Sequence, residues 1–184
     1  MSVAQQMTAQ EYLATTFAER WVELIDGEVV VNEPRWNHAR VVSTLLFELT
    51  QWTRGAEGRG AASVPIDVLL DDRNVYAPDI LWYASARAPN DDSPWPYSIP
   101  DLAIEVRSPS TWRYDVGAKK SAYERHGLPE LWLVDTEAEA LLVFRRSAPP
   151  TASFDVSIEV GHGELIASPQ LPAFSLAVHA LFPE

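Results

Sequence analysis

Two acidic side chains interrupt apolar runs: Asp79 in Ala-Pro-Asp-Ile-Leu-Trp and Glu105 in Leu-Ala-Ile-Glu-Val-Arg-Ser-Pro-Ser. Both runs read as buried strands, where a carboxylate loses hydration and persists only if it is paired, hydrogen-bonded or bound to a metal. The 184-residue chain has only two lysines, Lys119 and Lys120, and both lie on the helix-like segment that follows the second acid. Two acids on neighbouring strands could share one Mg²⁺ or Mn²⁺, hard cations that prefer oxygen ligands. A lysine beside them could stabilise charge developing on a phosphate or position the attacking water. The residue types therefore point to metal-dependent phosphodiester hydrolysis.

Spacing leaves the choice of lysine open. Asp115, Lys119 and Tyr123 recur at intervals of four and share one helix face, while Val116, Lys120 and Tyr123 define an overlapping one. Each candidate also has an ordinary structural role. Asp79 could cap a strand or pair with an arginine, and by its residues alone that reading weighs equally with a metal ligand. Glu105 favours function, because its neighbours on both sides are apolar. Lys119 taken alone is a surface lysine in an i,i+4 pair with Asp115. Ser108, Ser110 and Thr111 around Pro109 read as a turn that caps the next helix, and His38 as a capping or core histidine. Trp82 and Trp132 read as core, leaving Trp95 and Trp112 as exposed aromatics that could stack on bases.

Local signals outline the elements that must position these groups. Thr8 with Glu11 is a capping box and predicts a helix to about Phe17. Val22–Ile25 and Glu28–Val31 flank Asp26-Gly27, the signature of a tight hairpin. Asn37 is placed to cap a helix to about Thr53, with Val41, Leu45, Leu46, Leu49 and Trp52 at helical spacing. Strands are predicted over 62–70 and 79–83, with a turn at 71–74, and then a proline-rich loop over 84–100. Asp101–Val106 reads as a central strand, Asp115–His126 as a helix ended by Gly127, and Leu131–Val134 as a third buried strand. Segments 141–145, 154–160 and 174–178 read as short antiparallel strands. A strand–helix–strand crossover returns the chain parallel to the strand it left, so a mixed sheet and an α/β or α+β class are expected.

Composition bounds the rest. A length of 184 residues with 47% hydrophobic content suits one domain spanning 1–184. With no cysteine, disulfides, thiolate zinc sites and cysteine nucleophiles are excluded, and a cytoplasmic protein is expected. No signal-like leader opens the chain, and no run approaches the ~20 apolar residues of a membrane span. The net charge of −12 argues against nonspecific coating of nucleic acid, although residues 101–130 balance five basic against five acidic side chains. Motifs for nucleotide-binding loops, serine-hydrolase elbows and zinc proteases are missing.

Taken together, Pro78-Asp79, the run Glu105 to Thr111, Asp115 with Lys119 and Tyr123, and Gly127-Leu128-Pro129-Glu130-Leu131-Trp132-Leu133-Val134-Asp135 resemble a known family. It is the bacterial "putative restriction endonuclease" family of the PD-(D/E)xK nuclease superfamily. The resemblance extends to Val22–Val29, to His38 and to Leu171-Pro172-Ala173-Phe174, and covers about Met7 to Phe182. It implies a restriction-endonuclease-like fold, a central mixed β-sheet flanked by helices with extra antiparallel strands. It further implies Asp79 and Glu105 as metal ligands, Lys119 as the catalytic lysine, and Glu23 as an acid completing the site, with Glu28 a weaker candidate. The superfamily's usual lysine, two residues after the glutamate, is here Arg107, whose guanidinium is a poor proton acceptor but could contact phosphate.

Three readings follow. The first is a Mg²⁺- or Mn²⁺-dependent endonuclease acting on DNA, by analogy a homodimer because two strands need two sites. The second is a decayed nuclease fold serving as a noncatalytic binding module, which the acidity and Arg107 favour. The third is a metal-dependent hydrolase of a smaller phosphate ester.

Overall fold

The computed structural model describes residues 6–149 and 151–182. Helix α1 (Ala9–Ala14) starts from the predicted capping box, with Thr8 Oγ1 accepting from the Glu11 N–H and the Glu11 carboxylate accepting from the Thr8 N–H. It ends at Ala14, before the expected Phe17, where the β-branched Thr15 turns extended. Strands β1 (Val22–Ile25) and β2 (Glu28–Val31) form the predicted hairpin. Asp26 and Gly27 both take positive φ, 49° and 82°, the combination a type I′ turn requires.

Helix α2 (Trp36–Arg54) begins one residue before Asn37, and Arg35 occupies the cap position instead. The Asn37 side chain only accepts from the N–H of its neighbour His38. The expected strand over 62–70 divides into β3 (Ala61–Ser63) and β4 (Val68–Asp71), which join different sheets. Pro65 lies between them and has no N–H to give a ladder. Strand β5 (Asn74–Tyr76) carries no three-residue signal in the sequence, yet all three residues are buried. It pairs with β1 and β4, giving an antiparallel sheet of order β2-β1-β5-β4.

A six-stranded sheet forms the centre, in order β10-β9-β8-β7-β6-β3. Its further members are β6 (Ile80–Tyr83), β7 (Leu102–Val106), β8 (Glu130–Asp135), β9 (Ala140–Arg145) and β10 (Val156–Val160). Asp79 immediately precedes β6 and does not lie within it. Only β7 and β8 pair in parallel, joined by the predicted crossover, so the sheet is mixed and the class is α+β. The crossover comprises α3 (Trp112–Tyr114), a π-helical turn (Asp115–Lys119) and α4 (Lys120–Arg125). A short pair, β11 (Leu165–Ile166) and β12 (Leu176–Ala177), precedes a terminal 3₁₀ turn.

Strand alternation assigns the faces. Leu102, Ile104 and Val106 of β7, with Trp132 and Val134 of β8, pack with Val41, Leu45 and Leu49 of α2. Ala103, Leu131 and Leu133 face the other way, toward Ala122 and Tyr123 of α4. Period two therefore puts Glu105 on the α4 side, away from the larger apolar core.

The passage from α2 into β3 depends on Gly60, whose φ is +72° and whose hypothetical Cβ would lie 2.0 Å from the Tyr83 carbonyl oxygen. Gly60→Ala is expected to destabilise the chain by at least about 2 kcal/mol, combining left-handed strain with that clash. Urea unfolding of the two chains measures it; equal midpoints would refute the close approach.

Candidate active site

Five side chains from four elements converge behind β7. Glu23 comes from β1, Glu105 from β7, Asp115 and Lys119 from the π turn, and Tyr123 from α4. The Lys119 ammonium is enclosed, at 1% relative exposure. Its Nζ lies 2.9 and 3.0 Å from the two Glu23 oxygens, 2.8 Å from Glu105 Oε1 and 3.3 Å from Asp115 Oδ1. Tyr123 donates its hydroxyl proton to the same Glu105 oxygen at 2.8 Å. Thr111 Oγ1 donates to Asp115 Oδ2, and the Ala77 N–H donates to Glu23 Oε1. The structure decides between the lysines: Lys119 points into the carboxylates, while Lys120 lies 4.5 Å above the Phe144 ring on the outer side.

Asp79 reaches the cluster from the side of β6. Its Oδ2 accepts from the Val106 N–H at 2.7 Å and stands 3.1 Å from His38 Nε2. Val106 follows Glu105 in β7, so this bond fixes the Asp79 side chain beside the second acid. Among the described residues, Asp79 Oδ1 and Glu105 Oε2 accept no hydrogen bond. Glu23, His38 and Asp79 line an open pocket of ≈ 280 Å³, whose walls include Trp21, Pro34, Ala39, Val42, Val64 and Pro65.

The electrostatics follow from three buried carboxylates sharing one ammonium, with Asp79 close by. Burial pushes the Glu105 carboxyl well above its ordinary range; Lys119 opposes this, and Glu23, Asp115 and Asp79 add to it. Asp115 is pushed up to about 6, again chiefly by burial, with Lys119 opposing. For Lys119, burial alone would lower the value, but Glu105, Glu23 and Asp115 outweigh it and hold it well above the usual lysine range. Lys119 is therefore an ammonium at neutral pH and cannot serve there as a proton acceptor.

The structure thus brings Glu23, Glu105 and Lys119 into direct contact and sets Asp79 next to them. Glu28 is exposed on β2 and stands apart from the cluster. Arg107 is also turned away: its Nη1 bonds both Asp135 oxygens at 3.0 Å and its Nη2 lies 2.7 Å from Glu137, so the phosphate contact open to it in the sequence is pre-empted. Ser108 and Thr111 are buried in the predicted turn, with no side-chain cap on α3. Three members were missed as site residues. The interval of four in Asp115, Lys119 and Tyr123 was the available signal for two of them. His38, read as a cap or core residue, carried only its place in the family pattern.

The donor set is compatible with a hard divalent cation. Asp79 Oδ1 and Glu105 Oε2, which accept no hydrogen bond among the described residues, are the oxygens left to offer. Among the described residues, no three or more His, Asp and Glu side chains stand together as a ready metal cage. Two carboxylates with water completing the shell are the arrangement typical of Mg²⁺.

Residues 9–179 match the family Uma2, described as "Putative restriction endonuclease". The chain belongs to this family. A crystal structure of a putative nuclease belonging to DUF820 from Anabaena variabilis superposes with a TM-score of 0.80, at 20% identity, over 96% of this chain and 97% of that one. That likeness shows that the two chains share a fold. A search of curated proteins finds no match. No helix among the described residues is long and apolar enough to cross a membrane.

Proposed function

We propose that this family member is a Mg²⁺- or Mn²⁺-dependent endonuclease that hydrolyses DNA phosphodiester bonds, with Asp79 and Glu105 as metal ligands and Lys119 and Glu23 completing the site. The observation that carries the reading is the enclosed Lys119 ammonium on Glu23, Glu105 and Asp115, set beside an Asp79 that opens into a pocket. Such a cluster is costly to fold, because every buried ion loses hydration. A structural role alone would be served as well by apolar residues of similar size.

When bound, the cation would polarise a phosphoryl oxygen and lower the pKa of a water molecule. The protein's own groups set the stage for this. Lys119 fixes Glu23 and Glu105 and supplies positive charge behind Glu23, which lines the pocket. Tyr123 orients Glu105, and His38 together with the Val106 N–H orients Asp79. Because Lys119 retains its proton, the lysine acts electrostatically. Cutting both strands of a duplex would require two such sites, hence a homodimer, and a cytoplasmic location suits a cysteine-free chain. The net charge of −12 favours the alternative of a noncatalytic binding module, which predicts no turnover.

Supercoiled plasmid provides the test. The chain is expected to nick and linearise it with Mg²⁺ or Mn²⁺, to stop in chelator, and to be inactive as Glu105→Gln, in which Tyr123 keeps an oxygen partner. Failure of the parent chain to cut duplex DNA, single-stranded DNA and RNA with either cation would contradict the proposal.

A further inference from the structure

The pocket that exposes Glu23, His38 and Asp79 is, for the most part, not a phosphate cradle. No lysine or arginine lines it. Its walls are apolar, and two of them are rims left in water: Trp21 is 50% and Val64 54% exposed. The hairpin builds the rest. Val22 pairs with Val31, so the residues just beyond, Trp21 and Asn32, face each other across its open end, where the Asn32 N–H donates to the Trp21 carbonyl at 2.7 Å. The side-chain Oδ1 of Asn32 is buried and meets no hydrogen-bond donor among the described residues. His38 Nδ1, on the opposite wall, is likewise buried without a partner.

A half-exposed indole beside Asn32, whose buried amide oxygen has no donor among the described residues, on the wall of an apolar cavity of ≈ 280 Å³, is a combination suited to a flat heterocycle with hydrogen-bonding edges. Resting on the nuclease reading, we infer that this pocket holds an unpaired nucleobase of the substrate, stacked on Trp21 with its edge read by Asn32. A base inside a duplex cannot enter, so the nucleotide beside the cut is single-stranded or extruded from its stack. The amide oxygen of Asn32 accepts a hydrogen bond, and every base, once unpaired, presents an amino or ring N–H donor on its pairing edge. A chain with 14 basic and 26 acidic residues draws little affinity from phosphates, which leaves stacking on Trp21 as the main source of affinity for a base.

Binding can be measured without turnover. Fluorescein-labelled single-stranded DNA, the matching perfect duplex and a duplex with one bulged nucleotide are titrated with the full chain in chelator and read by anisotropy. The single strand and the bulged duplex are expected to bind about 10-fold more tightly than the perfect duplex. Trp21→Ala should remove that advantage, and Trp21→Phe, which keeps an aromatic face, should retain most of it. Asn32→Ala should weaken binding of the single strand and the bulged duplex while leaving the perfect duplex unchanged. Equal binding of all three DNAs, unmoved by Trp21→Ala, would overturn the pocket assignment; if plasmid is still cut, the nuclease reading survives. No binding to any DNA together with no cleavage would overturn both.

Discussion

Lys119→Met is expected to lower the stability of the folded chain by about 3–5 kcal/mol near pH 8, the range seen when one partner of a buried ion pair is removed. Methionine matches the length of the stem and leaves Glu23, Glu105 and Asp115 buried with no cation among them. The deficit should shrink as the pH falls. Asp115 is raised by burial from 3.8 to about 6 even with Lys119 opposing, and Glu105 moves in the same direction. A carboxyl raised on folding holds its proton more tightly in the native chain. Its contribution to stability is complete below its unfolded value and is lost as the pH rises through the folded one. Without the ammonium both carboxyls rise further, so the variant takes up protons on folding over a wider range and recovers stability toward pH 5. Urea unfolding at the two pH values reads this directly. A variant as stable as the parent at both would show that the acids do not carry the charges assigned to them. Cleavage should be undetectable throughout.

The second large effect concerns Asp79→Asn. Asparagine keeps an oxygen for the Val106 N–H and a polar atom near His38, so the fold is expected to persist, with urea midpoints close to the parent's. Charge is what the substitution removes, and with it half of the proposed ligand pair. Cleavage is expected to fall at least about 100-fold, equivalent to ~2.7 kcal/mol of barrier. Asp79→Ala makes the contrast informative, because it also strands the buried Val106 N–H at a cost of about 1–3 kcal/mol. Loss of activity in both variants with loss of stability only in the alanine variant separates the ligand role from the structural one. Full activity in Asp79→Asn would remove Asp79 from the chemistry.

Much of the architecture is legible locally. Asp26-Gly27 specifies its hairpin because both positions need positive φ, and alternation along Leu102–Val106 predicts which way Glu105 faces. The strand–helix–strand crossover requires the parallel β7·β8 pair. What the sequence hides depends on partners distant along the chain. His38 meets Asp79 across 41 residues, and Arg107 is captured by Asp135 across 28, contacts that no local pattern encodes. Strand β5 is three residues long and owes its existence to pairing on both sides. Lys119 enters the cluster in place of Lys120 because the crossover packs its Asp115, Lys119 and Tyr123 face toward Glu105, an orientation set by the sheet and not by helical spacing. The candidate cluster was therefore legible as residue types, and the resemblance to the family pointed to Lys119 where spacing left the choice open.

Calorimetric titration of Mn²⁺ into the parent chain, Asp79→Asn and Glu105→Gln bears most directly on the shared carboxylate site, because it requires no choice of substrate. Saturable binding by the parent, lost in both variants while their folds persist, is the predicted result. No binding by the parent at millimolar Mn²⁺, or undiminished binding by the two variants, would contradict it.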